Sequence, residues 1–124
     1  MQDFKWIDNA GFPDVIGKWD EGAIELIGDA NPNDIHELFI PLNQWVFNYL
    51  ETRDTPLQII FKLTYLNTSF SLGILDLIRQ LNSSFYKQKN VSAFWYYQTD
   101  DEELYYEGED FKSVSHFPFE LISV

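Results

Sequence analysis

Runs of apolar residues separated by polar and turn residues divide this chain into elements of two kinds. Short apolar runs bounded by Gly, Asp, Asn or Pro predict strands, whereas apolar positions that recur at helical spacing predict amphipathic helices. The resulting order, β-β-α-β-α-β-α-β, predicts a mixed α/β sheet of about five strands covered by about three helices, with right-handed crossovers between parallel strands. The expected strands are Phe12–Trp19, Ala23–Ile27, Leu57–Tyr65, Val91–Tyr97 and Phe117–Val124. The expected helices run from near Asp34 to Leu50, from Ser69 to Tyr86 and from Asp100 to Phe111.

Local signals refine the first helix and the central strand. Asn31 followed by Pro32 provides a helix cap and a first-turn proline, and Asp34 adds a favourable charge to that turn. In the strand Leu57–Tyr65 the odd positions and Ile60 are apolar, so we expect one face to be buried and the other nearly so. We therefore expect the helices to cover the sheet.

The composition narrows the class of protein. The chain has 124 residues, which fits one domain over residues 1–124, and no cysteine, which excludes disulfides, Cys-zinc sites and thiol catalysis. Its net charge is −12, from 20 acidic and 8 basic residues, and such a field repels nucleic acid and anionic lipid. No apolar stretch reaches the ~18 residues of a membrane span, and Met1–Ala10 does not resemble a signal peptide. We therefore expect a cytoplasmic protein that binds neither nucleic acid nor membranes.

The signatures of common enzymes are missing from the sequence. The six glycines are dispersed, so there is no phosphate-binding loop, and no Gly-x-Ser-x-Gly turn occurs. His36 lies in the first predicted helix and His116 just before the last strand, and both are expected to be surface or capping groups. The acidic segment 100–110 lacks the spacing of a calcium loop, so we expect it to be a solvated face. We expect no enzymatic activity, no metal and no cofactor; a small hydrolase or ligand-binding protein that uses the acidic segment is the minor alternative.

Hydroxyl residues surround the junction between the central strand and the second helix. Asn67 or Thr68 can cap this helix by accepting a hydrogen bond from an unpaired backbone N–H. The same helix end, with its free N–H groups and positive dipole end, would also stabilise a phosphate on Thr68. Such a phosphate would add about two negative charges to the carboxyl edge of the sheet, where α/β proteins place their sites. Thr68 therefore has two interpretations, as a helix cap and as a modification site that controls a partner.

Seven short motifs follow one another along the chain and carry a family resemblance. They are Gly28-Asp29-Ala30-Asn31-Pro32-Asn33-Asp34, Phe39-x-Pro41-Leu42-x-x-Trp45 with Tyr49-Leu50, Tyr65-Leu66-Asn67-Thr68-Ser69, Trp95-Tyr96-Tyr97, Asp100-Asp101-Glu102, Gly108-Glu109-Asp110-Phe111 and Pro118-Phe119. In this order they resemble the motifs of the SiaC-type family of bacterial biofilm-regulation phosphoproteins, which are distant relatives in fold of the STAS (SpoIIAA-like) anti-anti-sigma antagonists. The resemblance implies a single-domain, STAS-like α/β fold.

The resemblance also implies a function and a set of site residues. It makes Thr68 the phosphoacceptor of a partner switch, in which a dedicated kinase adds the phosphate and a metal-dependent phosphatase removes it. The unphosphorylated form would bind and regulate a diguanylate cyclase, and so control cyclic di-GMP and biofilm formation. The surface expected to meet the partner is formed by Tyr65, Asn67, Ser69, Asp29, Pro32 and Asn33.

The chain departs from the family pattern beside the expected phosphoacceptor. Phe70 and Leu72 stand where the family usually has serine and lysine, and a lysine there would contact a phosphate. The loop also has Asp29 in place of a glutamate, and Asn33-Asp34 in place of a Glu-Asn pair. These differences keep a second function open, that of a constitutive protein-interaction or scaffold module without a phospho-switch.

Overall fold

The computed structural model describes residues 2–124 and has one sheet of six strands with three helices. In chain order the elements are β1 (Phe4–Trp6), β2 (Asp14–Lys18), β3 (Ala23–Ala30), α1 (His36–Thr52), β4 (Leu57–Leu66), α2 (Thr68–Tyr86), β5 (Val91–Tyr97), α3 (Glu102–Val114) and β6 (Phe119–Ser123). The mixed α/β class and the three helices expected from the sequence are confirmed, and the sheet has one strand more than expected. Within residues 2–124 no helix is long and apolar enough to cross a bilayer.

The strands lie in the sheet in the same order as in the chain. β1, β2 and β3 are antiparallel neighbours, whereas β3, β4, β5 and β6 run parallel to one another. Each parallel pair is joined by a helix, and right-handed crossovers that all step in one direction place the three helices on the same face of the sheet. We call the opposite face, which carries Ile16, Glu25, Ile60, Phe94 and Glu120 across its middle, the open face.

The burial pattern of β4 agrees with helices on one face only. Its odd-numbered residues from Leu57 to Leu63 are buried, whereas Lys62 and Thr64 on the open face are exposed. Ile60, on the same face, is partly exposed. The expectation that the second face of this strand is also nearly buried is wrong, because alternation brings only every second residue under the helices.

Aromatic rings fill the space between the sheet and the helices. Trp95 is 1% exposed, and its Nε1 donates a hydrogen bond of 3.0 Å to the backbone oxygen of Leu104 in α3. The ring centroids of Phe39 in α1 and Phe70 in α2 are 5.0 Å apart. Gly73 makes room for this contact, since a Cβ at that position would lie 2.5 Å from the Phe39 ring. The start of α2 is thereby packed tightly against α1.

The beginning of α1 differs from the expectation. The helix starts at His36, its N-cap residue Ile35 provides no capping side chain, and Oδ1 of Asp34 accepts from the His36 N–H instead. Asn31 and Pro32 do not start it, because they lie in the loop after β3 and both are hydrogen-bonded to Asn67. The Asn31 side chain instead accepts a hydrogen bond from Asn67. Asn31, which the sequence pattern predicts as a helix cap, therefore links the loop after β3 to the residue that precedes α2.

The strand β1 is the element that the sequence pattern does not predict. Its three residues are too few to give a periodic signal. It pairs with β2 at the edge of the sheet, and Trp45 in α1 holds it there: the Trp45 Nε1 donates to the backbone oxygen of Gln2 at 2.9 Å. The Phe4 ring lies 6.4 Å from the Trp45 ring, edge to face. Tertiary packing, and not local pattern, therefore forms this strand.

Candidate functional site

The candidate site lies where β3 and β4 end. The two strands are parallel, so their carboxyl ends meet at the same edge of the sheet, with Ala30 paired to Leu66. A register shift just before Asp29 places that residue opposite Tyr65. The hydroxyl of Thr64 donates a hydrogen bond to Oδ1 of Asp29. The structure therefore brings two of the expected site residues, Asp29 and Tyr65, to one edge.

Asn67 joins this edge to the start of α2 and to the loop after β3. Its backbone N–H donates to the oxygen of Ala30 at 2.8 Å, and its Oδ1 caps the helix by accepting from the N–H of Phe70 at 2.8 Å. Its Nδ2 donates two hydrogen bonds of 3.1 Å, to Oδ1 of Asn31 and to the backbone oxygen of Pro32. Of the two cap residues that the sequence left open, Asn67 is the one used. One side chain thus holds the loop and the helix together.

Thr68 is the first residue of α2, directly after the cap, and it is exposed. Within the described part of the chain its hydroxyl makes no hydrogen bond, since Asn67 already provides the capping oxygen. Ser69 beside it is also exposed, and the first turn of the helix carries no acidic side chain. The Thr68 hydroxyl is therefore accessible at the positive end of a 19-residue helix.

The remaining expected site residues differ in accessibility. Tyr65 is 51% exposed, and Asp29 and Asn33 are exposed as well. Pro32 is buried, and its contribution is the backbone oxygen that accepts from Asn67. Pro32 therefore supports the loop and is not part of an accessible surface.

One residue that shapes the site lies outside all the sequence motifs. The backbone oxygen of Gly11 accepts a hydrogen bond of 2.7 Å from the N–H of Asn31. Gly11 has a φ of +80°, and a Cβ there would lie 2.9 Å from the backbone oxygen of Asn31, so the position requires glycine. The segment before β2 therefore supports the loop through a contact that no local sequence pattern signals.

The two departures beside Thr68 occupy different environments. Phe70 is 0% exposed and packs on Phe39. Leu72 is 59% exposed and lies about one helical turn after Thr68. It borders a groove of about 360 Å³ between α1 and α2, together with Ile40, which is 56% exposed. Phe70 therefore belongs to the core, whereas Leu72 adds an apolar side chain to the surface next to Thr68.

A second concavity lies at the carboxyl ends of β4 and β5. Its volume is about 780 Å³, and its lining includes Lys62, Tyr96, Tyr97 and the acidic residues 100–103. Asp101 is already engaged, because its Oδ1 caps α3 by accepting from a backbone N–H of that helix at 3.1 Å. Among residues 2–124 no three His, Asp or Glu side chains are grouped so that they could hold a metal ion. Asp101 caps α3, Glu102 and Glu103 lie in its first turn, and all three line the concavity.

Both histidines are exposed, as expected for surface groups. The His36 backbone N–H donates to Oδ1 of Asp34 at 2.9 Å, and its ring lies 3.0 Å from the same oxygen. These contacts, the backbone hydrogen bond first, lower the pKa of Asp34. The His116 ring packs edge to face on Tyr86, with centroids 5.6 Å apart. Each histidine thus has a local structural contact.

Variants of Asn67 separate the cap from the loop contacts. We expect Asn67→Ala to lower the free energy of unfolding by about 2–3 kcal/mol, because it removes a cap and two hydrogen bonds to the loop. Asn67→Ser keeps a good capping oxygen and loses only the loop contacts, so it should cost about 1 kcal/mol less than alanine. Urea denaturation measures both, with Ser69→Ala at the exposed neighbour as the control. Equal losses for alanine and serine would contradict the capping role.

Glu107 in α3 is poorly placed for a charged group. Partial burial raises its pKa, and the carboxylates of Glu103, Asp101 and Asp110 raise it further. Its Oε2 is buried, and no group in residues 2–124 forms a hydrogen bond with it. Because the folded-state pKa lies above the unfolded value, the protonated group stabilises the fold at low pH, and that stability is lost as the pH rises through the folded-state pKa.

We therefore expect Glu107→Gln to be more stable than the wild type at neutral pH, since the substitution removes the ionised form. The gain should shrink as the pH falls to about 3, below the unfolded-state pKa of about 4.3, where the glutamate is mostly neutral in both states. Thermal denaturation at the two pH values measures the difference, and Glu21→Gln in the exposed turn before β3 is the control. A gain that does not change with pH would rule out this origin.

Comparison of the sequence with known proteins identifies one family match and one similar bacterial protein. Residues 8–124 match the family described as SiaC family regulatory phosphoprotein. An uncharacterised protein of Pseudomonas aeruginosa strain UCBPP-PA14 is 30% identical over 109 residues, which cover 88% of this chain and 86% of that protein.

Solved structures extend the likeness to the whole fold. SiaC of Pseudomonas aeruginosa is 29% identical, with a TM-score of 0.91 over 100% of both chains. SiaC as it occurs in the crystal structure of the diguanylate cyclase SiaD with its activator SiaC is 28% identical, with a TM-score of 0.92 over 98% of this chain and 100% of that one. Because the family match covers nearly all of the sequence and the fold agrees from end to end, this chain belongs to the SiaC family of regulatory phosphoproteins.

Proposed function

We propose that this chain is a partner-switch protein whose binding to a diguanylate cyclase is controlled by phosphorylation of Thr68. The unphosphorylated form binds and regulates the cyclase, and through it the level of cyclic di-GMP and biofilm formation. A kinase adds the phosphate and a phosphatase removes it. Support comes from membership of a regulatory phosphoprotein family and from the relative SiaC, an activator that forms a complex with the cyclase SiaD.

The accessible hydroxyl of Thr68 is the observation that carries this proposal. A kinase needs an exposed acceptor, and Thr68 is exposed while Asn67 performs the capping that would otherwise occupy a hydroxyl. The phosphate would sit at the N-terminus of α2, where unpaired backbone N–H groups and the helix dipole stabilise an anion. The modification can therefore be accommodated without loss of the cap.

The surface beside Thr68 supports release of a partner by the phosphate. Tyr65 and Leu72, within four residues of Thr68 on either side, are 51% and 59% exposed, and they offer a partner apolar surface close to Thr68. The first turn of α2, Thr68 to Ser71, contains no lysine or arginine that could pair with a phosphate. Burial of an ionised group without a paired charge is costly, so a phosphate of about −1.5 to −2 charge would weaken such a complex.

The chain itself needs no catalytic group for this function. The kinase, the phosphatase and the cyclase carry out the chemistry, so we propose that the chain is a binding protein and not an enzyme, and that it works without a metal or cofactor. We also propose that residues 1–124 act as one domain and that the protein is located in the cytoplasm.

A constitutive scaffold is the second candidate function. It is favoured by the exposed apolar side chain of Leu72, which stands where the family usually has a lysine next to the acceptor. In a scaffold the Thr68 hydroxyl has no regulatory role, and its loss or replacement by a charge leaves partner binding unchanged. The two functions therefore differ in what happens when Thr68 is changed.

The first experiment asks whether Thr68 accepts a phosphate. Wild type, Thr68→Ala and Ser69→Ala are incubated with ATP and lysate of the native host, and the phosphate is located by peptide mass spectrometry. We expect one phosphate, on Thr68, in the wild type and in Ser69→Ala, and none in Thr68→Ala, because only Thr68 follows the cap directly. A protein that is left unmodified, or modified at another residue, would sink the switch mechanism.

The second experiment asks whether charge at Thr68 releases the partner. Wild type, Thr68→Ala and Thr68→Asp are used as bait in native lysate, and retained proteins are identified and quantified. We expect a diguanylate cyclase to be retained by wild type and Thr68→Ala, and at least about tenfold less by Thr68→Asp, which corresponds to ~1.4 kcal/mol. Ser83→Asp, an exposed position near the other end of α2, controls for added charge. Equal retention by Thr68→Asp favours the scaffold.

A further inference from the structure

The open face of the sheet carries a group of apolar side chains that no element of residues 2–124 covers. Ile16, Ile27, Ile60, Phe94 and Ile122 lie on five neighbouring strands, and each keeps part of its surface exposed, with Ile27 at 41%. The cross-strand pairing places them on the same side of the sheet. Glu25 and Lys62 lie among these residues, and apolar side chains grouped on one face among polar residues mark an interaction surface.

The open face carries only a small part of the net charge of −12, because most of its acidic residues are offset by lysines. The Lys62 Nζ lies 2.9 Å from Oε1 of Glu25, and the Lys18 Nζ lies 3.9 Å from Oδ2 of Asp3. The basic residues of the face are Lys5, Lys18 and Lys62, and its acidic residues are Asp3, Asp14, Glu25, Glu120 and, at the rim beside Thr64, Asp29. Most of the net charge therefore lies on the other surfaces.

One row of paired residues crosses the open face from edge to edge. In order from β1 to β6 it consists of Lys5, Ile16, Glu25, Ile60, Phe94 and Glu120. Its two end residues carry opposite charges, and neither forms an ion pair with another residue in the range 2–124. Five strand spacings of about 4.8 Å hold them about 24 Å apart, so they cannot meet within one copy.

We propose that the open face binds a second copy of this chain in a two-fold symmetric dimer. With the two-fold axis parallel to the strands, β1 of each copy lies over β6 of the other, as an isologous interface requires. Lys5 of each copy then faces Glu120 of the other copy, and Ile16 faces Phe94. A two-fold axis across the strands would instead place Lys5 near Lys5, which like-charge repulsion disfavours.

Charge and area favour a second copy as the occupant. Two copies repel each other through the acidic remainder of their surfaces, so the weakly charged open face is where they can approach closely. The flat area of the sheet is roughly 600 Å², from six strands at ~4.8 Å spacing with ~3.3 Å per residue. Standard interfaces bury about 800 Å² of accessible surface per partner. Because side chains project from the sheet, the accessible area of this face is larger than its flat area. The face is therefore large enough for a dimer of moderate affinity.

This arrangement has a consequence for the switch. Because the axis runs along the strands, the carboxyl ends of β3 and β4 point the same way in both copies. Both Thr68 residues then lie at one end of the dimer, where a two-fold symmetric partner can engage both surfaces and gain avidity. This consequence rests on the proposed function, whereas the dimer itself does not.

Chemical crosslinking tests the facing pair directly. Protein with light and protein with heavy nitrogen isotopes are mixed and equilibrated, then treated with a zero-length carbodiimide that joins an amine to a carboxylate in contact. We expect a crosslink between Lys5 and Glu120 in which one peptide is light and the other heavy, because one copy cannot form it alone. Absence of that mixed-isotope crosslink overturns the arrangement.

Charge-exchange variants test the same pair by sedimentation equilibrium. At high concentration we expect wild type to approach twice the 14.6 kDa mass of the chain. Lys5→Glu and Glu120→Lys should each weaken the dimer at least about tenfold, and the double variant should restore it. Arg79→Glu, exposed on α2, makes the same change of charge away from the open face and should have no effect.

A wild type that stays monomeric, or a double variant that does not recover, overturns the proposal. Wild type and Lys5→Glu can also be compared as bait in native lysate. If the wild type is monomeric and Lys5→Glu fails to retain a host protein that the wild type retains, the open face binds a different partner and the dimer proposal is overturned. Neither measurement uses the kinase or the cyclase, so failure of the dimer is distinct from failure of the switch.

Discussion

The parallel pairing of β3, β4, β5 and β6 is the constraint on which the rest of the structure depends. Right-handed crossovers that step in one direction put all three helices on one face. The loop after β3 then meets the start of α2 at the carboxyl edge, and the open face is left without a covering helix in residues 2–124. The edge with Thr68 and the open face with its charged row are therefore two results of one topology.

At the carboxyl edge, Asn67 caps α2 and the adjacent residue, Thr68, is exposed. Asn67 caps α2 and also binds the loop through its amide nitrogen, which leaves the Thr68 hydroxyl free. A phosphate on Thr68 would not compete with the Asn67 cap, so in the proposed switch α2 would keep its start in both states. The proposed switch would accordingly act on the surface offered to a partner, and not on the stability of the helix.

The differences from the family pattern separate into core and surface when they are placed in the fold. Phe70 packs on Phe39 beneath α1, so this change is absorbed by helix packing and leaves the edge intact. Leu72 is exposed, so this change alters the chemistry that a partner meets. A chain whose fold matches SiaC with a TM-score of 0.91 at 29% identity can therefore depart from the family pattern on the surface beside Thr68.

The sequence by itself determined the strongly periodic elements and the family: Val91–Tyr97 forms a strand with the expected bounds, and α2 starts within one residue of its expected position. It also pointed to Asn67 and Thr68 as neighbours in one turn. Only the tertiary structure decided which of them caps, why Asn31 does not start α1, and that one face of β4 stays uncovered. These depend on contacts between segments far apart in the chain, and local periodicity holds no information about which distant group a side chain meets.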